Sequence, residues 1–334
     1  MKTVRKFLMI VYCCVFALIV KSQNLQHGTE TSSKPEQLPG LKDWFLSTGN
    51  WEKDPQLYVL EFGNGSDTII MLHGGWGGEH SGLINAVKDL KDQYHFILYD
   101  QRGGLRSPCP DSLVTFNNHI EDVELLRKEL KLDKLTIVGH SMGAVLASAY
   151  AAKYPQRIKQ LILLAPARLK YPVPEEDKGL LRQGAMGSEA FIGRAELNRE
   201  LDKYNLNRKN SALSSREETI RYRINLAKRM VYDITKWSLL TDGKGIFKSH
   251  LFPLVESTYP PSGWDFLQEF KKRLYPVSII IGDHDFLDFK NPLIKKWVSE
   301  VPRIKLSVIE NAGHMIWLDQ PKEFTKQLVR QLKG

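Results

Sequence analysis

The chain of 334 residues carries 42% apolar and 25% charged side chains with ordinary glycine and proline content, which excludes disordered, collagen-like and repeat proteins and fits one large core with an insertion. Its formal charge of +9 drops to +5 once Lys2, Arg5, Lys6 and Lys21 of the N-terminal segment are set aside, a mild, scattered basicity that calls for no nucleic acid. Beyond that segment only Cys109 remains, so no intramolecular disulfide is expected and the core must carry the stability.

Residues 1–22 hold three positive charges, an apolar run at 7–20, then Lys21 and Ser22. This is the pattern of a secretory signal peptide cleaved near Ser22, with an apolar run shorter than the roughly 20 residues of a membrane span. It predicts export to the periplasm or the cell exterior and no membrane span in the mature chain. An uncleaved anchor is the alternative. Cys13 and Cys14 lie inside the apolar run with no small residue before them, which argues against a lipoprotein site. Residues 23–40 are polar and read as a linker.

From residue 41 short apolar runs alternate with helix-like segments. The runs are LYVLEF, TIIMLHG, HFILYD, LTIVGH and LILLAPA, then, after a gap, VSIIIGDHD and IKLSVIE. Such runs, each stopped by Gly, Asp or His, are expected of strands buried on both faces. With helical periodicity in IEDVELLRKELKL and ASAYAAKYPQRI, the chain predicts an α/β fold with a doubly wound, mostly parallel sheet. The core is expected at 41–170 and 274–334. Residues 171–273, inserted after the strand at 161–165, are charged and helical in character and read as a lid over the carboxyl edge of the sheet. A second domain is the alternative. Within them Ile220, Ile224, Ala227, Val231, Ile234 and Trp237 recur at spacings of four and three, which predicts one amphipathic helix over 220–237.

Gly139-His140-Ser141-Met142-Gly143 is a G-x-S-x-G stretch with an apolar run before it and a small-residue helix after it. The glycines permit a sharp turn that exposes the serine oxygen. A serine hydroxyl becomes a nucleophile only beside a base that an acid orients. In the chain order Ser, Asp, His, the acid is expected at Asp285 and the base at His314, both just past strands. Asp283 and Asp288 compete for the first role, and His140, His250 and His284 for the second. Backbone N–H groups for the oxyanion are expected at Met142 and in the loop HGGWGG at Gly75. His73 is expected to brace that loop, and Asp100 with Arg102 to pin a turn. No metal or organic cofactor is called for.

Together these residues resemble the α/β-hydrolase fold from about residue 41 to the C-terminus. Within it HGGWGG at 73–78, DQRG at 100–103 followed by Ser107, and GHSMG at 139–143 resemble the prolyl aminopeptidase group. The resemblance implies Ser141, Asp285 and His314 as the catalytic set, with the amides of Gly75 and Met142 as oxyanion donors. It also implies removal of an N-terminal residue from small peptides, which needs acidic groups to hold a free amine. The sequence departs from that pattern at Trp76, where the loop usually has proline. It also lacks a W-x-x-W-E element, and residues 171–273 hold 18 basic against 14 acidic side chains. Trp76, Glu79 and Trp237 are the substrate-binding candidates, with Glu217 and Glu218 as further acids. A carboxylesterase or lactonase acting on small apolar acyl esters is the rival activity, and an exported ligand-binding protein the rival of another class.

Overall fold

The computed structural model describes residues 38, 40–209 and 212–333. The predicted leader at 1–22 and most of the linker at 23–40 lie outside the described residues. Among the described residues ten strands follow in chain order: β1 (Lys42–Ser47), β2 (Gln56–Phe62), β3 (Thr68–Leu72), β4 (His95–Tyr99), β5 (Leu135–His140), β6 (Ile158–Leu164), β7 (Lys170–Tyr171), β8 (Trp264–Asp265), β9 (Val277–Gly282) and β10 (Lys305–Ile309). Eight form one sheet in the order β1-β2-β4-β3-β5-β6-β9-β10, and β7 pairs β8 separately. The pairs β1–β2 and β2–β4 are antiparallel and the other pairs of the large sheet are parallel. β1 is not among the predicted strands, because its sequence KDWFLS opens on two charged residues and is half exposed, as an edge strand allows.

Period-two alternation builds the two layers against this sheet. Ile70, Leu72, Ile97 and Ile137 face the helices Phe116–Glu129, Met142–Lys153 and Pro292–Ser299, through Val123, Val145 and Leu293. Ile69, Met71, Phe96 and Val138 face the helices Ser81–Val87 and Pro321–Leu332, through Leu83 and Leu328. Every residue of β5 and β9 is buried, and both strands are mainly apolar, with Thr136, His140 and Ser278 as their polar members.

Between β6 and β9 the chain adds the helices Lys178–Ile192, Ala195–Lys203, Ser215–Met230, Leu251–Glu256 and Phe266–Lys271. The last packs against the Met142–Lys153 helix at the flank of the sheet. The single helix expected over 220–237 is two elements. It ends at Met230, Val231 is extended, and a 3-10 stretch resumes at Ile234–Leu239. The break comes from Asp319, whose carboxylate accepts the backbone N–H groups of Tyr232 at 2.7 Å and Asp233 at 3.1 Å. All six apolar positions are still buried, since the periodicity encodes which side faces the core rather than an unbroken ladder. Asp177 fastens the start of the insertion to the core: it accepts from Trp297 Nε1 at 2.7 Å and from Lys296 Nζ.

Strand register brings the carboxyl ends to one edge. Leu72 pairs Gly139, His140 pairs Leu164, Leu164 pairs Ile280, and Gly282 pairs Ile309. The residues that follow are therefore His73, Ser141, Asp283 to Asp285, and the loop leading to His314. Gly143 packs so closely beneath this edge that an added Cβ would lie 2.2 Å from Leu72 O and 2.5 Å from His73 O, both fixed backbone atoms. Gly143→Ala is expected to destabilise by about 3 kcal/mol or more, read as a lower urea midpoint. Gly179→Ala, where nothing lies within 4 Å, is expected to cause no loss.

Candidate active site

Ser141 sits at φ 55° and ψ −118°, a backbone conformation that is costly for any residue with a Cβ. Tertiary bonds hold it there. Its N–H donates to Leu164 O at 3.0 Å, and its carbonyl accepts from Ala144 N at 3.0 Å and Ala167 N at 3.2 Å. Gly139 lacks room for a side chain, since a Cβ there would come within 2.5 Å of Gly143 O. Ser141 is thus lifted from the end of β5 and set at the N-terminus of the Met142–Lys153 helix, with Met142 N–H in the first turn, where no intrahelical acceptor exists.

Asp285 is fully buried in the loop after β9, and its Oδ2 lies 2.9 Å from His314 Nδ1. A carboxylate can only accept, so Nδ1 carries the proton and Nε2 presents a lone pair. Leu287 N–H donates to the other carboxylate oxygen at 2.8 Å and fixes the acid. The His314 ring stands between His140, 4.6 Å away between centroids, and Phe286, edge-on at 4.8 Å. Its loop is tied down by Gly313 N–H to Asp319 at 2.8 Å and by Met315 N–H to Met230 O at 2.8 Å.

Ser141 and His314 line one cavity of about 510 Å³. Gly75 and Met142 line it as well, Gly75 at φ +69°, with the Phe247 ring so close that a Cβ would lie 2.8 Å from it. Ser141, His314, Gly75 and Met142 thus meet at one cavity, with Asp285 behind His314 Nδ1. Such a set can transfer an acyl group through a serine ester.

The rivals are held in other roles. His140 is buried, which drives its pKa well below the ordinary value, and its Nε2–H donates to His314 O at 3.1 Å. His284 pairs with Asp283 at 2.6 Å, and Asp283 also takes Lys290 Nζ at 2.7 Å. His250 is exposed near Asp111. His73 braces its loop: its Nε2 accepts Gln101 N–H at 3.0 Å, and Gln101 Nε2 donates to His73 O at 2.8 Å. Asp100 and Arg102 do not pair with each other. Asp100 accepts from His80 Nδ1 at 2.6 Å and from Arg106 N at 2.9 Å, whereas Arg102 Nε donates to Asp122 at 3.0 Å.

Two of the three substrate-binding candidates are not at the cavity. Trp76 is completely buried and turned into the core, its ring stacked on His119 and its Nε1 donating to Tyr259 Oη at 2.7 Å. A tryptophan flanked by glycines reads from sequence as an exposed ligand contact, but the glycines let the backbone bend and the large apolar ring turns inward. Trp237 is buried among the helices of the insertion, where its Nε1 donates to Glu200 at 2.8 Å. Glu79 does line the cavity. It accepts from Ser81 N at 2.9 Å and lies 3.5 Å from Arg106 Nη1. Glu217 caps the Ser215–Met230 helix through Ser214, away from the cavity.

Asp242, which the sequence did not single out, also lines the cavity. Burial raises its carboxyl pKa, and the neighbouring Glu79 charge raises it further. Its only sequence signal is a turn-like TDGKG, which any surface loop shares. Apart from Arg168, Glu256 and Asp288, most of the remaining wall is apolar or aromatic, including Tyr171, Tyr222, Tyr259, Trp264, Phe286 and Trp297. Among the described residues Glu79, His80 and Asp100 bring three metal-type donor atoms within 4.8 Å of one another, but His80 Nδ1 is directed at Asp100. No helix among the described residues is long and apolar enough to cross a membrane.

The model of the alpha/beta hydrolase fold family matches residues 67–321. The chain belongs to that family. This alpha/beta hydrolase is 26% identical over 305 residues to a proline iminopeptidase of Lactobacillus delbrueckii subsp. bulgaricus, covering 86% of this chain and 96% of the relative. It is 24% identical over 311 residues to a 1-acylglycerol-3-phosphate O-acyltransferase of Rattus norvegicus, covering 85% of this chain and 81% of the relative. Among solved structures it is similar to a proline iminopeptidase-related protein of Thermus thermophilus, with a TM-score of 0.61 at 22% identity, covering 88% and 97% of the two chains. It is similar also to an esterase of Exiguobacterium antarcticum, with a TM-score of 0.60 at 18% identity, covering 87% and 98%. These structural likenesses show the shared fold.

Asp288, the other rival acid, lines the cavity and accepts Leu293 N at 3.2 Å and Ile294 N at 2.8 Å at the start of the Pro292–Ser299 helix. Burial pushes its pKa up to about 6, against the pull of those N–H donors. A carboxyl raised in the fold contributes stability that is present below its unfolded pKa and is lost as pH rises through about 6. The urea stability of the wild type relative to Asp288→Asn is therefore expected to fall between pH 4 and 7.5, by at most about 3 kcal/mol. A gap that widens with pH would contradict this assignment.

Proposed function

We propose that this alpha/beta hydrolase is a serine hydrolase of aminopeptidase type, which releases an N-terminal residue from small peptides through an acyl-enzyme. In this reading His314 Nε2 takes the proton of Ser141 Oγ as the oxygen attacks the substrate carbonyl. The N–H groups of Gly75 and Met142 receive the negative charge on the carbonyl oxygen. His314, held by Asp285, then passes its proton to the leaving amine, and water repeats the sequence on the acyl-Ser141 ester. The inserted segment acts as the lid of the cavity, and export read from residues 1–22 is part of the same proposal.

The observation that carries the amine specificity is the pair of carboxylates, Glu79 and Asp242, which lie close enough to interact on one wall of a mostly apolar cavity that also contains Ser141 and His314, and whose other charged lining residues are Arg168, Glu256 and Asp288. Two acids near one another in low dielectric repel, and a substrate ammonium placed between them relieves that repulsion. The proline iminopeptidase relatives support the same reading. A second reading, carboxylesterase on small apolar acyl esters, is favoured by the aromatic walls at Tyr171, Tyr259, Trp264 and Phe286.

The test compares proline-β-naphthylamide and other aminoacyl-arylamides with p-nitrophenyl acetate and butyrate. The aminopeptidase reading expects turnover of amides that bear a free amine and little of their N-acetylated forms. Asp242→Asn is expected to raise KM for the free-amine substrates by roughly 10- to 100-fold, the worth of one charged hydrogen bond, and to leave ester hydrolysis nearly unchanged. Turnover of esters alone removes the aminopeptidase. If fluorophosphonate leaves Ser141 unlabelled in the folded protein, the hydrolase reading goes too.

A further inference from the structure

We propose that Trp76 and Tyr259 form a positioning pair, in which a hydroxyl from the inserted segment holds the glycine loop so that the Gly75 N–H stays aimed at the reacting carbonyl. This goes beyond the hydrolase reading and rests on it. Between His73 and Glu79 the loop reads GGWGG, so Trp76 carries its one side chain. Gly75 at φ +69° and Gly77 at φ +92° occupy conformations open to glycine, and glycines lose the most freedom when held in one state. A loop of that composition needs an external anchor to serve as a fixed donor.

Trp76 is that anchor. Its ring stacks on His119 at 5.0 Å and 18°, and meets Phe116 edge-on at 6.1 Å. Burial, with Arg102 nearby, pushes the His119 pKa down to about 3, so the stacked ring is neutral. The only polar atom of the indole donates to Tyr259 Oη at 2.7 Å, across 183 residues of sequence. Burial, chiefly, lifts the Tyr259 pKa to about 12, so the hydroxyl keeps its proton. The tyrosine ring is in turn fixed by Trp264 at 4.9 Å, Phe116 at 5.1 Å and Tyr171 at 5.5 Å, and it lines the cavity.

The same stretch of the insertion grips the loop a second time. Lys248 N–H donates to Gly77 O at 3.0 Å, and its Nζ donates to Gly103 O at 3.0 Å and Gly104 O at 3.2 Å. Trp76 and Gly77 are thereby both held from one segment. An oxyanion donor is worth about 10²–10³ in kcat, and a misplacement of about 1 Å costs about 10². One buried hydrogen bond can therefore govern the rate without touching the substrate.

The experiment uses the full chain, with p-nitrophenyl butyrate as substrate and a fluorophosphonate as a probe of Ser141 that is independent of leaving group. Tyr259→Phe keeps the ring and removes the hydroxyl; Trp76→Phe removes the bond from the other side. Each is expected to lower kcat and the phosphonylation rate about 10-fold or more, with KM within about twofold of wild type. The double variant is expected to be no slower than the slower single, because both remove one interaction. Far-ultraviolet circular dichroism and urea midpoints identify a variant that fails to fold, in which case the other single decides. Wild-type phosphonylation rates in a folded variant, a rise in KM with kcat unchanged, or additive losses in the double variant would overturn the pair. Failure of the wild type itself to react at Ser141 sinks the hydrolase reading and the pair together, whereas a reactive wild type with equally reactive variants sinks the pair alone.

Discussion

The rest of the structure depends on one close approach: the backbone crossing of β5, the Met142–Lys153 helix and the end of β3 around Ser141. Gly139, Gly143 and Gly74 have no room for a Cβ there, and the serine between them is held at φ 55° by bonds to Leu164 and Ala167. Strain of this kind persists only where surrounding structure over-determines it. Here the restraint comes from a strand pair buried on both faces, a setting with little freedom to relax. Every other part of the candidate site is placed relative to that corner.

The inserted segment is joined to the candidate site on two sides. On the His314 side, Asp319 takes the N–H groups of Gly313, Tyr232 and Asp233, so one buried carboxylate ties the His314 loop to the insertion. Burial raises the Asp319 pKa, which the three N–H donors oppose. On the opposite side, Tyr259 and Lys248 reach the glycine loop. The insertion is therefore part of the scaffold that sets the distance between the His314 loop and the glycine loop, in addition to walling the cavity.

The electrostatics of the cavity are uneven, and that unevenness is what separates the two substrate readings. Trp264, Tyr171, Phe286 and Trp297 offer apolar surface suited to any small acyl group. Glu79 and Asp242 make one wall acidic, although the insertion as a whole carries more bases than acids. Its bases are largely engaged elsewhere: Arg194 donates to the carbonyls of Phe191, Lys228, Val231 and Tyr232, and Arg208 pairs with Glu217. Net charge over a hundred residues thus says little about the field at one wall, because only charges facing the low-dielectric cavity act there at close range.

What the sequence determined by itself is what local pattern encodes. The buried strands were legible because residues such as Ile279, Ile280 and Ile281 must be apolar on both faces, and the elbow because glycines must flank a serine lifted out of a strand. The placement of Ser141, Asp285 and His314 near one sheet edge was legible for the same reason, since each follows a readable strand end. The tertiary structure alone decided that Trp76 turns inward, that the helix over 220–237 breaks where Asp319 captures its backbone, and that Asp242 comes close to Glu79 on the cavity wall. Those outcomes depend on partners 183, 87 and 163 residues away in the chain, and periodicity, which reports only which side of an element is buried, carries no record of what is waiting on that side.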